Sequence, residues 1–450
     1  MNLIKQHAAR RLVRHLALGA TLATTVVVSS CRGLDPTFSC TDQAEALAVE
    51  LAKVGYLRDT VPTFAPYAMA MVLSEQGLNE MLTTSLGGVG DVPNFDIILN
   101  IGPGEISFVP VGTPELTLEH VAGCETCIRM YTKFDLNVLL GDMGIINGIG
   151  DFTIAVPLEL KIYDNTSYLV ARFDELIFEP EDFNMSVEGI DLNDIKAIKE
   201  YLQTLVFRQI RDGIGEVLVV QFDPWSIGDE KVVLAAREVF VNPEEKTLVL
   251  GIATNLDVAQ GAGVETKVGL EADQKMRVTF HAELIEAMAQ RMLEEGYIPR
   301  HYNENGDPDP NGLITATIDG MTTKSSAEAT IDTTFRVWQT DPEQYCGYAT
   351  VEMPLFLRII DGGLGVQPGE IKVTGGEGIG KVIADNNELV EENKDVVNEF
   401  RTALAEQVGI TVNYSELRLD GAVLAITTNE VSTDANGVHV DMDFDIIPSN

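Results

Sequence analysis

Positive charge is what this chain has least of. Against 69 aspartates and glutamates stand 31 lysines and arginines, a formal net charge of −38. Such a surface repels phosphate backbones, which excludes nucleic acid as a partner, and it gains nothing from anionic lipid headgroups. Cysteine is scarce, at five residues, and histidine at six. Two histidines fall within the first 30 residues; His120, His281, His301 and His439 remain, far apart and without an HExxH spacing. No GxSxG elbow occurs, so neither a zinc hydrolase nor a serine hydrolase has local support. His281, just before an apolar helical run, reads as a residue that caps or flanks a helix. After residue 30 there is no apolar run of 18 residues, the length a membrane-spanning helix needs. Yet the hydrophobic fraction is an ordinary 45%, and 450 residues are enough for two sizeable cores.

Two further motifs lack a required part. Gly375-Gly376-Glu377-Gly378-Ile379-Gly380-Lys381 has the GxxxxGK spacing of a phosphate loop and follows the strand-like Ile371–Thr374. The next residue is Val382, where the motif needs a hydroxyl for Mg²⁺, and Glu377 puts negative charge where an anion should sit. We read it as a flexible glycine-rich connection before the last helix. The acidic segment 301–312 has oxygens enough for Ca²⁺ but neither the EF-hand spacing nor its bidentate glutamate. Its two prolines suit a rigid turn. The expectation is a non-enzyme with no cofactor and no metal.

What the chain does have begins with its first 31 residues. Lys5, Arg10, Arg11 and Arg14 precede an apolar or small stretch from Leu16 to Val28, then Val28-Ser29-Ser30-Cys31. A basic start, a short apolar core and small residues before a cut site make a secretory signal over 1–30. Val-Ser-Ser-Cys resembles the bacterial lipobox, which implies that Cys31 is acylated and becomes the first mature residue. Removing residues 1–30 deletes four positive charges, taking −38 to −42, so membrane contact is expected from the acyl chains, several of which anchor stably. Arg32 is not the aspartate associated with inner-membrane retention, so the resemblance implies the outer membrane, facing the periplasm or the cell surface.

With Cys31 lipidated, Cys40, Cys124, Cys127 and Cys346 remain, the even count of an oxidising compartment. Cys124 and Cys127 lie between two strand-like runs, and a local disulfide pinching a hairpin is the reading we take. A redox CxxC would open a helix, whereas Ile128–Phe134 alternates like a strand. Spacing alone does not decide whether Cys40 pairs with Cys346.

Residues 31–60 read as a tether and a short helix, and the rest repeats itself. A helix is expected from Leu73, with apolar positions at Leu73, Leu78, Met81, Leu82 and Leu86; 207 residues on stand Phe280, Ile285, Met288 and Leu293. A second helix carries Leu202, Val206, Ile210 and Ile214; 194 residues on stand Val396, Phe400, Leu404 and Val408. Val233-Leu234-Ala235, Leu248 and Leu250 match Val423-Leu424-Ala425, Val438 and Val440 at a shift of 190. Three matches in order point to an internal duplication, with halves at 61–265 and 266–450. Between the helices run long alternating strands, Phe152 to Ile162 in one half and Ala349 to Ile359 in the other. In the last strand Val438, Val440, Met442, Phe444 and Ile446 are expected inward and His439, Asp441, Asp443 and Asp445 outward. The fold class is α+β: two tandem modules, each a long curved antiparallel sheet wrapped around a long helix.

That element order resembles the tubular lipid-binding superfamily of bactericidal/permeability-increasing protein and related lipid carriers, over about residues 65–450. The phrase Leu73–Leu82 is similar to the opening helix of bacterial envelope lipoproteins assigned to that group. The resemblance implies an apolar groove for an acyl-chain lipid or fatty acid. No catalytic residue carries over, and the acidic surface departs from the cationic, endotoxin-binding members. Candidate lining residues are Met69, Met71, Leu73, Leu78, Met81 and Leu82 in the first module and Phe280, Ile285, Met288 and Met292 in the second. Methionine, unbranched and polarizable, adapts to ligands of irregular shape. The alternative is a scaffolding lipoprotein with solid cores that docks another envelope protein through its acidic surface.

Overall fold

The computed structural model describes residues 40–448 apart from 63–66, 88–96, 102–103, 140–144, 179–181, 188–189, 192–195, 259–268, 272–273, 342–344, 361, 379–393, 413–415 and 420–421. The expected signal and Cys31 lie outside the described residues. In chain order the first half runs α1 (Cys40–Leu51), β1 (Met69–Ser74), α2 (Glu75–Gly87), β2 (Ile97–Ile101), β3 (Gly104–Pro110), β4 (Glu115–Thr117), β5 (Cys127–Leu139), β6 (Ile145–Tyr163), β7 (Thr166–Arg172), β8 (Phe183–Val187), β9 (Ile190–Asp191), α3 (Lys196–Ile214), β10 (Glu216–Phe222), β11 (Trp225–Ile227), β12 (Glu230–Val232), β13 (Leu234–Asn242) and β14 (Thr247–Thr254). The second half runs β15 (Met276–Phe280), α4 (Ala282–Glu294), β16 (His301–Tyr302), β17 (Ile314–Thr323), β18 (Thr330–Asp341), β19 (Tyr345–Ile360), β20 (Gly363–Pro368), β21 (Lys372–Gly378), α5 (Lys394–Val412), β22 (Glu416–Leu419), β23 (Ala422–Thr433) and β24 (Val438–Pro448).

The protein is mainly antiparallel sheet with few helices. One sheet of 16 strands draws on both halves, with the path β13-β14-β1-β15-β24-β23-β22-β10-β7-β6-β5-β3-β2. A second, six-stranded sheet (β16 to β21) belongs to the second half alone. The two halves therefore share their central hydrogen bonding through β1 against β15 and β22 against β10.

The registers carry the offsets read from the sequence. Met71 faces Val278, its own counterpart 207 residues on. Met69 pairs with Ile252, and Met276 with Met442: 69 and 276 differ by 207, 252 and 442 by 190. Further out, Thr132 faces Phe152 and Thr333 faces Met353, both separated by 201. The closing hairpins match even in their irregularities, with a bulge near Arg237 in β13 and one near Asn429 in β23.

Three sequence expectations are corrected. The helix expected from Leu73 begins at Glu75; Met69, Met71 and Leu73 lie on strand β1 instead. That strand is sandwiched between β14 and β15 and buried on both faces, so its apolar run is continuous and shows no period of two. The glycine-rich run before the last helix is, through Gly378, strand β21 paired with β19; Gly375, Gly376 and Gly378 interrupt the alternation that marks a strand. Asp441, expected outward, is 2% exposed because Arg277 of the neighbouring strand β15 reaches it.

Helix α1 is fastened to the second half. Cys40 is disulfide-bonded to Cys346 of β19, with Cα atoms 5.6 Å apart. Gln43 donates to Glu377 of β21 (2.7 Å), and Glu50 accepts from Arg336 of β18 (3.1 Å). Arg336 also bonds Asp319 (3.0 Å) and lies over the rings of Trp338 and Tyr348. Thus α1 lies on the six-stranded sheet, covering the face opposite Phe335 and Val337. The other disulfide, Cys124–Cys127, closes a tight loop at the start of β5, as expected.

Candidate functional site

The ten apolar candidates are all buried, none more than 6% exposed. They belong to one continuous apolar core spanning both halves. Within it they form two groups joined by a bridge. Met69, Met71 and Leu73 of β1 pair with Phe280, Val278 and Met276 of β15 and form the bridge. Leu78, Met81 and Leu82 sit on α2, which packs against β10 and β4 of the first half. Ile285, Met288 and Met292 sit on α4, which packs against β17 and α5 of the second. Because β1 and β15 are antiparallel, α2 leaves the pair at the Ser74–Met276 end and α4 at the Met69–Phe280 end. Five or six residues at about 3.4 Å each separate those ends by roughly 20 Å, so the candidates do not converge on one point.

Local chemistry explains where each helix starts. The Ser74 hydroxyl accepts the Gly77 amide hydrogen (3.0 Å), capping α2. Its counterpart His281 stands at the N-cap of α4 without a side-chain cap bond, so it flanks the helix. Glu75 accepts from the Leu118 amide (2.8 Å) and pairs with Lys246, tying α2 to its neighbours.

On the first half's inner face an aromatic cluster links sheet to helix. Phe134 of β5 packs edge-on to Phe108 and beside Phe152 and Phe183, and both of the latter meet Phe207 of α3. In the second half Phe335 of β18 meets Phe400 of α5, ring centroids 5.0 Å apart. Ionisable groups are rare within. Glu286 of α4 accepts from the Met321 amide and from Gln290 (both 3.0 Å), and burial raises its carboxyl above the ordinary carboxylate range. Tyr302, wholly buried, donates to the Pro299 carbonyl (2.7 Å), and burial raises its phenol.

The acidic 301–312 segment satisfies its own oxygens. Asn303 Oδ1 accepts from Asn305 and Asp307, and Asp309 Oδ1 from Asn311, the arrangement of a rigid turn. Among the described residues no group of three or more metal-ligating side chains assembles, and no helix is long and apolar enough to cross a membrane.

Sequence reasoning missed Thr132 and Thr333. They are 2% and 1% exposed, and among the described residues neither hydroxyl has a hydrogen-bond partner. The signal was present: Thr132-Lys133-Phe134 and Thr333-Thr334-Phe335 share their threonine and phenylalanine at a shift of 201, between the shifts of 207 and 194 already read.

Among the described residues, fold and interior define a mainly antiparallel α+β protein with few helices and a large apolar core that draws on both sheets. Similar solved structures are P47 of Clostridium botulinum E1 (9% identity, TM-score 0.44, 84% of this chain and 99% of that one) and P47 from Clostridium botulinum A2 (11%, 0.39, 84% and 97%). A lipopolysaccharide binding protein is also similar (9%, 0.37, 85% and 99%). No protein-family profile matches the chain, and no curated protein matches it by sequence.

Proposed function

We propose that this protein is a non-catalytic envelope lipoprotein of the tubular lipid-binding type, which holds or shuttles an acyl-chain lipid between its inner sheet faces and its helices. In this reading Cys31 carries the anchor, the outer membrane is where it sits, and residues 61–265 and 266–450 act as two modules. The observation that carries it is the distribution of methionine. Every methionine except Met1 and Met143 lies in the continuous core: Met69, Met71, Met81, Met130, Met185 and Met276 among them, with five more in the second half. A thioether on an unbranched chain changes rotamer cheaply and contacts alkyl chains at many angles. A core meant only to hold a fold is better specified by branched side chains with few rotamers. The shortage of charge inside and the large negative charge outside agree with an uncharged ligand and anchoring by acyl chains.

The test uses residues 32–450, which keep every described residue, exported to a bacterial envelope and purified without detergent. Native mass spectrometry and organic extraction are expected to find stoichiometric lipid that is lost on denaturation. An empty protein that takes up no fluorescent lipid refutes the carrier and favours the scaffold. Membrane fractionation of the full chain tests the anchor separately: Cys31→Ser is expected to move the protein from the membrane to the soluble fraction.

A further inference from the structure

Thr132 and Thr333 are matched orphans. On β5 the inward series is Ile128, Met130, Thr132, Phe134 and Leu136, all buried, while Lys133 and Asp135 are exposed. On β18 it is Ile331, Thr333, Phe335 and Val337, again all buried. Each threonine faces an apolar residue on the next strand, Phe152 or Met353. Each stands two residues from a phenylalanine in the same core, Phe134 in the cluster that reaches Phe207 of α3, Phe335 against Phe400 of α5. Four other buried threonines are bonded: Thr317 accepts from Trp338, and Thr330, Thr411 and Thr433 donate to backbone carbonyls; Thr323, at the end of β17, also has an unpartnered hydroxyl but has no such counterpart in the first half. A lone hydroxyl on an apolar sheet face is costly to keep, and this chain keeps it at the same place in both halves.

We propose that Thr132 and Thr333 are the polar handles of two ligand subsites, each hydroxyl donating to the carbonyl oxygen of an uncharged acyl ester. This inference rests on the lipid-binding reading above and narrows it to a ligand class. A threonine hydroxyl can donate one hydrogen bond and accept others, which suits an ester oxygen. It cannot neutralise a charge, and the flanking cations Lys133 and Arg336 lie on the opposite strand faces, alternate with the inward residues. A carboxylate or phosphate brought to either hydroxyl would stay unpaired in an apolar interior. The apolar neighbours take the alkyl chain, and the hydroxyl fixes how far along the chain the ester sits.

The experiment titrates residues 32–450 with two fluorescent probes, a pyrene-labelled monoacylglycerol and pyrenedecanoic acid. The proteins compared are wild type, Thr132→Val, Thr333→Val, the double variant, and Thr132→Ser/Thr333→Ser; melting is followed by circular dichroism. Valine matches threonine in shape and removes an unpartnered polar group, so the valine variants should melt at or above the wild-type temperature. Each should weaken monoacylglycerol binding at its own subsite about tenfold, the loss of one neutral hydrogen bond. The serine variant should bind as wild type does. Wild type should prefer the ester to the acid. Unchanged ester binding in the double valine variant overturns the assignment, as does a parallel fall in melting temperature and binding, which marks the hydroxyls as structural. Preference for the acid overturns the uncharged class. A wild type that binds neither probe brings down the lipid-binding reading itself, a result distinct from all of these.

Discussion

Asp441 and Arg277 offer a quantitative test of how the central sheet is held. The Asp441 side chain is 2% exposed, and its two oxygens face Arg277 Nε (2.5 Å) and Nη2 (2.9 Å) across the β15–β24 pair. Asp441→Asn keeps the volume but removes the charge and turns an amide N–H toward the guanidinium. Stranding one member of a buried ion pair costs about 3–5 kcal/mol. Since the Arg277 side chain is 20% exposed and keeps some water, the lower end, about 3 kcal/mol, is expected. Replacing both, Arg277→Met with Asp441→Leu, should leave the protein as stable as wild type or more stable, as apolar replacements of buried pairs often do. The fold itself supplies the precedent: the matching positions, Ala70 (277 less 207) and Gly251 (441 less 190), pair with no charge at all. Urea denaturation of wild type, Arg277→Met, Asp441→Leu and their double variant, followed by circular dichroism, gives the coupling energy. Additive single effects, or a cost below about 1 kcal/mol for Asp441→Asn, would refute the argument that the pair is a desolvated unit.

Other substitutions probe other levels. Gly150→Ala should destabilise by about 1–3 kcal/mol, because a Cβ there would meet the Phe134 ring and sit 2.6 Å from the Asn184 carbonyl oxygen; a neutral result in thermal melting would contradict it. Burial raises the pKa of Glu286, so between the ordinary carboxyl range and the raised value the folded state binds more protons than the unfolded one. Its contribution is then present at acid pH and lost as pH rises through the raised folded value. Glu286→Gln should flatten that fall in a melting-temperature profile across mildly acid pH, and an unchanged slope would refute the assignment. Reducing Cys40–Cys346 leaves α1 held by Gln43–Glu377 and the Glu50–Arg336–Asp319 network. Limited proteolysis should then cut within residues 40–60 much faster while the remainder resists; equal rates with and without reductant count against it.

The sequence made the helices and long strands legible because their apolar periods are exposed on one side. Leu202, Val206 and Ile210 of α3 and Phe400, Leu404 and Val408 of α5 are buried as their spacing indicated. Periodicity failed where both faces are covered: Met69 to Leu73 are all buried, so the strand was read as the start of the helix that follows it. Asp441 was misplaced for a different reason, since its partner lies 164 residues away in Arg277 and no local pattern signals a cross-strand ion pair. The joining of both halves in one sheet was equally hidden, because register between β1 and β15 is a property of the pair. At the candidate site the apolar residues were found but not their grouping. The two hydroxyls were passed over because a threonine in a strand is ordinary until its missing partner is seen.

Helix α1 also decides how the molecule answers to tension. A pull on the chain upstream of Cys40 does not run along the backbone into β1; the Cys40–Cys346 bond carries it straight to β19, 306 residues further on. From there it meets β18 and β21, which flank this end of β19, as a load along paired strands, where many hydrogen bonds share it. The strand pair β1–β15, on which both halves depend, is left out of the line of force. Whatever holds this protein by its N-terminal end thus holds it by its second half, and the first half hangs free of strain.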